Sequence, residues 1–170
     1  ALGAVGFRSS VSGVQGLATP DASWVVGHYA AAPPSVLVVE LGTNDLSYMA
    51  RGLPGYTMAE VQARLAAVVD RFPTSCVVVS TVSAHRSAAW RPEWQAYNER
   101  AGELNTWVHA TFPRVLDWEQ AVADSLANGS PILADEVHPN DAGIAVLAQL
   151  TAQAASSCHP SDPERSAARN

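Results

Sequence analysis

Two short stretches of the chain combine residue types that could do chemistry. The first is "ELGTND", in which a glycine and three polar residues at positions 42–45 follow an apolar run. The second is "DEVH", in which Asp135 and His138 are three residues apart. On a turn, a carboxylate at that spacing can accept a hydrogen bond from the imidazole Nδ1–H and leave Nε2 free to act as a base. Taken singly, each pattern is also typical of ordinary structure: a turn after a strand, or an aspartate that caps a helix.

The elements around these stretches predict alternating strands and helices. Near-continuous apolar runs at residues 35–41 and 76–82 are typical of strands covered on both faces, and "RVLDW" predicts a short third strand. Helices are predicted at 57–72, where Thr57 and Glu60 have capping-box spacing, and at 94–112, 119–126 and 139–156, with weaker helical stretches at 9–17 and 22–31. A loop is predicted between position 42 and the helix at 57–72.

This alternation predicts an α/β fold, with a parallel sheet and helices on both of its faces. In such sheets, ligands bind beyond the carboxyl ends of the strands. The "GTND" segment and the loop before the last helix should therefore meet at one edge. There the Asn44 amide could donate to an oxyanion, and Gly42 would permit a turn that a β-branched residue could not make.

Composition excludes several classes of function. The net charge is -6 and the ten basic residues are scattered arginines, so we expect no nucleic-acid partner. No apolar run approaches the roughly 20 residues of a membrane-spanning helix. Asp135 and His138 have no evident third ligand for a metal, and no glycine-rich phosphate loop supports a flavodoxin-like nucleotide binder. We therefore expect no cofactor and no metal.

Considered together, the motifs resemble those of the SGNH, or GDSL, family of esterases and acylhydrolases. "ELGTNDL" is similar to that family's Gly-x-Asn-Asp block, and "DEVHPNDAG" to its Asp-x-x-His block. "AVGFRSS" resembles the block with the oxyanion-hole glycine, although many members have Gly-Arg where this chain has Gly6-Phe7-Arg8. "YNERAGELN" and "VLDW" also sit where similar members have a Tyr-Asn helix and an Asp-Trp strand end. The resemblance runs from Gly6 to about Leu150.

The resemblance implies a flavodoxin-like three-layer α/β/α domain, which we place over residues 1–157. The polar composition of residues 158–170 predicts a disordered tail. It implies a serine-type hydrolase of carboxylic esters or O-acetyl groups, acting on a small-molecule or carbohydrate ester. His138 would be the general base and Asp135 would orient it. Gly6 and Asn44 would form the oxyanion hole. Supporting roles fall to Gly42 and Asp45.

The nucleophile that the resemblance requires is not found in these 170 residues. The family's Gly-Asp-Ser block ends a first strand that precedes the glycine block, whereas Ser9, Ser10 and Ser12 follow it. A β-α-β unit needs about 30 residues, and only five precede Gly6. We therefore expect a sequence that lacks its first strand, and a chain that is inactive by itself.

Further expectations concern the substrate pocket, the cysteines and alternative functions. Tyr48, His85 and Trp90 could line the pocket. Under the predicted topology, Cys76 and Cys158 reach the same sheet edge, opposite the active site, so a disulfide is sterically plausible and would point to an extracytoplasmic setting. An O-acetyltransferase of the same fold, and a binding domain that has lost the nucleophile, remain open alternatives.

Overall fold

The computed structural model describes residues 18–85 and 92–158. Three parallel strands form its sheet: β1 (Val36–Val39), β2 (Cys76–Ser80) and β3 (Val115–Leu116), in the order β1-β2-β3. Val36 is paired with Cys76 and Val79 with Val115, so β2 is the central strand of the three. The predicted α/β class with a parallel sheet is confirmed.

Within the described ranges, a 3₁₀ turn at Thr19–Ala22 and six α-helices accompany the sheet. The helices are α1 (Ser23–Ala30), α2 (Thr43–Ala50), α3 (Met58–Asp70), α4 (Pro92–Thr111), α5 (Trp118–Ala127) and α6 (Asp141–Ser156). The capping box predicted for α3 is present, because the Thr57 hydroxyl accepts from the Glu60 N–H and the Glu60 carboxylate accepts from the Thr57 N–H. Among the described residues, no helix is both long and apolar enough to cross a membrane.

Alternate side chains of the strands serve two separate apolar clusters. On one face, Val39 and Val79 pack with Leu46 of α2, Leu65 of α3 and Leu104 of α4. On the other face, β2 and β3 side chains pack with α5 and α6; the buried members are Cys76, Val78, Leu116, Trp118, Val122, Ile132, Leu133 and Cys158. Because successive side chains of a strand point to opposite faces, the sheet becomes the middle of three layers.

The segment after β1 differs from the sequence prediction, which placed a loop there. Thr43–Ala50 is a helix, and Leu46 on it is fully buried. Asp45 is also fully buried and accepts hydrogen bonds from the N–H and the hydroxyl of Thr19, at 3.0 and 2.6 Å. Short polar residues favour turns when only local interactions count, so the helix here depends on these long-range contacts.

The two cysteines form a disulfide that links the central strand to the end of α6. Cys76 begins the central strand and Cys158 follows the end of α6, with 5.8 Å between their Cα atoms. Both are buried. The bond lies at the amino end of β2, at the edge of the sheet opposite the polar residues that end β1. The predicted tail at 158–170 lies outside the described residues from position 159 onward.

Candidate active site

The candidate catalytic pair lies on a short hairpin-like loop between α5 and α6. Leu133 and Pro139 form an antiparallel bridge, and the Ala134 N–H donates to the His138 carbonyl at 2.8 Å. The side chain of Asn140 then caps α6, since its Oδ1 accepts from the Gly143 N–H at 2.9 Å while its Nδ2 donates to the Pro131 carbonyl. The loop is thus bound at both of its ends.

Within this loop, Asp135 and His138 are in direct contact. His138 Nδ1 lies 2.8 Å from Asp135 Oδ2. The other carboxylate oxygen, Oδ1, accepts from the backbone N–H groups of Val137 and His138, at 2.9 and 2.8 Å. These backbone bonds, with the imidazole contact, hold the pKa of Asp135 well below its usual range. The carboxylate is therefore charged and fixes Nδ1 as the ring's donor.

A cleft of about 470 Å³ brings His138 together with the residues that follow β1. Asn44, in the first turn of α2, also lines it. The remaining lining comes from the end of β2, from the segments that follow β1 and β2, from α2, α4, α5 and α6, and from the loop before α6: Glu40, Leu41, Thr43, Ser47, Ser80, Thr81, Val82, His85, Trp94, Trp118, Val137, Pro139 and Leu147. The cleft therefore lies beyond the carboxyl ends of the strands, where ligands are expected to bind in a parallel sheet.

Gly42 is the residue that turns the chain from β1 into α2. Its φ of 120° is a conformation that side-chain-bearing residues rarely adopt. A Cβ there would also lie 3.0 Å from Leu104 Cδ2 and 3.3 Å from Val82 Cγ1. Asp45, directly after Asn44, binds Thr19; burial raises the pKa of its carboxyl, although the hydrogen bonds from Thr19 lower it. Both residues therefore fix the start of the helix that carries Asn44.

The residues predicted to line the substrate pocket do not all lie in the cleft. His85 lines the cleft, but Tyr48 does not; its ring packs edge-on against Tyr56, with 5.0 Å between the centroids. Gly6 and Trp90 lie outside the described residues. No three His, Cys, Asp or Glu side chains of the described part of the chain are grouped as a metal site would require.

Two asparagines of α4 were missed by the sequence analysis. The Asn105 amide accepts from the N–H and donates to the carbonyl of Val82, at 2.9 Å each. Asn98, one heptad earlier, makes the same pair of bonds to His85, at 2.7 and 3.0 Å. Together they hold the segment after β2 along α4. Both lie in the segment "YNERAGELN", which the sequence comparison matched to a Tyr-Asn helix of the family without giving either asparagine a role.

Comparisons with known proteins show the family of the chain. The family model described as GDSL-like Lipase/Acylhydrolase matches residues 2–146. Among curated proteins, none matches the sequence significantly.

Solved structures with the same fold include an acetyl xylan esterase, AlAXEase, at 19% identity and a TM-score of 0.70, covering 84% of this chain and 78% of that one. A G-D-S-L family lipolytic protein from Veillonella parvula has 18% identity and a TM-score of 0.63, with 81% and 74% covered. An acetylxylan esterase from Geobacillus stearothermophilus has 18% identity and a TM-score of 0.63, with 82% and 68% covered. Since the family model spans most of the sequence, the chain belongs to the GDSL-like lipase/acylhydrolase family.

Proposed function

We propose that the protein acts in serine-type hydrolysis of carboxylic esters or O-acetyl groups, with His138 as general base. The observation that carries this proposal is the Asp135–His138 pair, whose Nδ1 contact leaves Nε2 as the acceptor. Both His138 and the amide-bearing Asn44 line one cleft. Membership of the GDSL-like family supports ester hydrolysis, and the acetyl xylan esterases of the same fold support O-acetyl groups as substrates.

The proposed reaction has two steps. His138 Nε2 removes the proton from a serine hydroxyl as its oxygen bonds to the ester carbonyl carbon. The carbonyl oxygen becomes an oxyanion, which the Asn44 amide and, by the family resemblance, the Gly6 N–H stabilise. The C–O bond to the alcohol then breaks, and the alcohol leaves with the proton from Nε2. In the second step, water takes the place of the serine hydroxyl, attacks the acyl group on the serine and releases the acid.

Two serines of the described residues line the cleft, but neither suits the role of nucleophile. The Ser47 hydroxyl donates to the Thr43 carbonyl and the Ser80 hydroxyl donates to the Thr81 carbonyl, at 3.0 Å each. A nucleophilic hydroxyl must instead donate to the base. We therefore keep the prediction that a Gly-Asp-Ser segment outside these 170 residues supplies the serine.

The test compares the 170-residue chain with a protein that also carries the coding sequence upstream of Ala1. We expect the longer protein to hydrolyse p-nitrophenyl acetate and the 170-residue chain to be inactive. His138→Ala in the longer protein should lower kcat by about 10²–10⁴-fold, the usual contribution of a general base. His28→Ala, which removes an exposed histidine of α1, is the matched control and should leave kcat unchanged.

Two outcomes would contradict the proposal in different ways. Hydrolysis by the 170-residue chain that is lost on His138→Ala would show that the serine lies within it. Full activity of the longer His138→Ala protein would show that another group is the base.

A further inference from the structure

The cleft contains two buried aromatic side chains whose polar atoms are unused. His85 is only 5% exposed, and within the described part of the chain neither its Nδ1 nor its Nε2 has a hydrogen-bond partner. The indole Nε1 of Trp94 is also buried without a partner. Both residues line the same cleft as His138 and Asn44. Buried polar groups are nearly always hydrogen-bonded, so three unpaired nitrogens at one wall of a cleft need an explanation.

The position of His85 is fixed by its surroundings. The Asn98 amide binds both its N–H and its carbonyl. The imidazole stacks on Trp94 with a centroid distance of 3.9 Å and an interplanar angle of 11°, and meets the edge of Tyr97 at 4.3 Å. Such a ring is held in place before any ligand arrives, which is the arrangement that a binding site requires.

A purely structural role does not account for a histidine here. A phenylalanine would fill the same stacked position without burying two unpaired nitrogens. Burial lowers the pKa of His85, although the carboxylates of Glu136 and Asp135 oppose this. The neutral ring has one donor and one acceptor, and the indole adds a second donor.

These groups match one class of ligand better than another. An alkyl chain in this part of the cleft would leave all three nitrogens unpaired. A hydroxyl both donates and accepts, so neighbouring hydroxyls can satisfy an imidazole and an indole N–H together. The nitrogens are buried in this structure, and Trp94 is the less buried residue of the pair, so it is the side chain that would turn to admit a ligand. The bonds from Asn98 and the contact with Tyr97 would keep His85 in place when the indole turns.

We infer that His85 and Trp94 form a subsite for the hydroxyl-bearing alcohol part of the substrate, which makes the substrate a carbohydrate ester and not a lipid. This inference rests on the proposed ester hydrolysis and names its substrate class. His85 is then a specificity-determining residue, and it takes no part in proton transfer.

The test is a binding experiment that needs no turnover. The ¹⁵N-labelled 170-residue chain is titrated with a methyl mono-O-acetyl-xylopyranoside and, separately, with hexyl acetate, while two-bond ¹H–¹⁵N spectra follow the imidazoles. We expect the glycoside to shift the His85 nitrogen signals and to change Trp94 fluorescence, and hexyl acetate to leave the His85 signals unmoved. Unmoved His85 signals at saturating glycoside, or larger shifts with hexyl acetate, would overturn the inference.

Two variants sharpen the test. His85→Phe keeps the stacked ring and should raise the Kd for the glycoside at least fivefold without altering that for hexyl acetate. An unchanged glycoside Kd in this variant would refute the subsite. If the variant does not fold, the wild-type titration by itself tests the inference. His138→Ala should still shift the His85 signals. Turnover by the longer protein that survives His138→Ala therefore contradicts the proposed mechanism alone, whereas unmoved His85 signals in the 170-residue chain contradict the subsite alone.

Discussion

A single carboxylate at Asp135 organises the candidate catalytic loop. One of its oxygens receives two backbone N–H groups and the other receives His138 Nδ1. The backbone bonds are the main reason that its pKa is depressed. The Asp135 carboxylate therefore both orients the His138 ring and closes the loop, although both side chains are largely exposed.

Asp135→Asn should invert the His138 tautomer. The amide oxygen would take over the two backbone N–H groups, so the amide NH₂ would face Nδ1 and force it to accept. The hydrogen would then lie on Nε2, which could no longer act as a base. Two-bond ¹H–¹⁵N spectra of the imidazole report the tautomer directly. Asp70→Asn, at the exposed end of α3, is the matched control; an unchanged tautomer in Asp135→Asn would contradict the assignment.

Tyr97 links stability to alkaline pH. Burial, partly opposed by a hydrogen bond with Thr43, raises the pKa of Tyr97 to about 12, compared with about 10 in an unfolded chain. The folded state therefore retains a proton that the unfolded state loses, and stability decreases as the pH rises from 10 to 12. The full change is about 3 kcal/mol for this one group.

Urea unfolding of the wild type and Tyr97→Phe at pH 8 and pH 11.5 measures this effect. The stability advantage of the wild type should shrink by about 2–3 kcal/mol between the two pH values, because the variant has no phenol to ionise. A difference that is independent of pH would show that Tyr97 is not buried as described.

At the scale of elements, α6 positions the catalytic loop through close backbone contact. Gly143 lies in the first turn of α6, where a Cβ would collide with the Ile132 carbonyl oxygen and lie 2.9 Å from Pro139 Cβ. The helix can approach the loop this closely only because that residue has no side chain. Gly42 permits a similarly close approach at the start of α2, where a Cβ would lie 3.0 Å from Leu104 Cδ2.

Gly143→Ala should therefore destabilise the fold and disturb the loop. We expect a loss of about 1–3 kcal/mol, as for other overpacked sites, measured by urea unfolding, together with a shift of the His138 imidazole signals. Gly102→Ala is the matched control, because Gly102 is an exposed helical glycine and no described atom beyond its own helical turn lies within 4 Å of the position that a Cβ would take. This substitution should stabilise α4 by about 1 kcal/mol. Equal effects of the two substitutions would contradict the packing argument.

At the scale of the whole molecule, the disulfide joins the central strand to the last helix across 82 residues. It lies on the face of the sheet that α5 and α6 cover, away from the cleft. Closing so long a loop restricts the unfolded chain strongly. The bond therefore stabilises the fold without contributing groups to the site.

Replacing both cysteines, Cys76→Ala with Cys158→Ala, should lower the free energy of unfolding by about 3–5 kcal/mol, as loop-closure entropy predicts. The wild type treated with dithiothreitol should approach the same urea midpoint, while untreated wild type is the reference. Coinciding midpoints for the untreated protein and the double variant would show that the bond does not form in solution.

The sequence by itself determined the features that depend on local spacing. Apolar runs revealed the covered strands, Thr57 and Glu60 revealed the α3 cap, and a separation of three positions between Asp135 and His138 sufficed for their contact. These follow because a turn or a helix brings i and i+3 together whatever the rest of the chain does.

Only the tertiary structure decided the features whose partners are distant in sequence. Helix α2 exists where local preference favours a turn, because Asp45 binds Thr19 and Leu46 enters the core. His85 lies in the cleft because Asn98 holds its backbone from another helix. Tyr48 packs on Tyr56 outside the cleft for the same kind of reason: which neighbour a side chain meets depends on how whole elements pack, and no spacing within one segment encodes it.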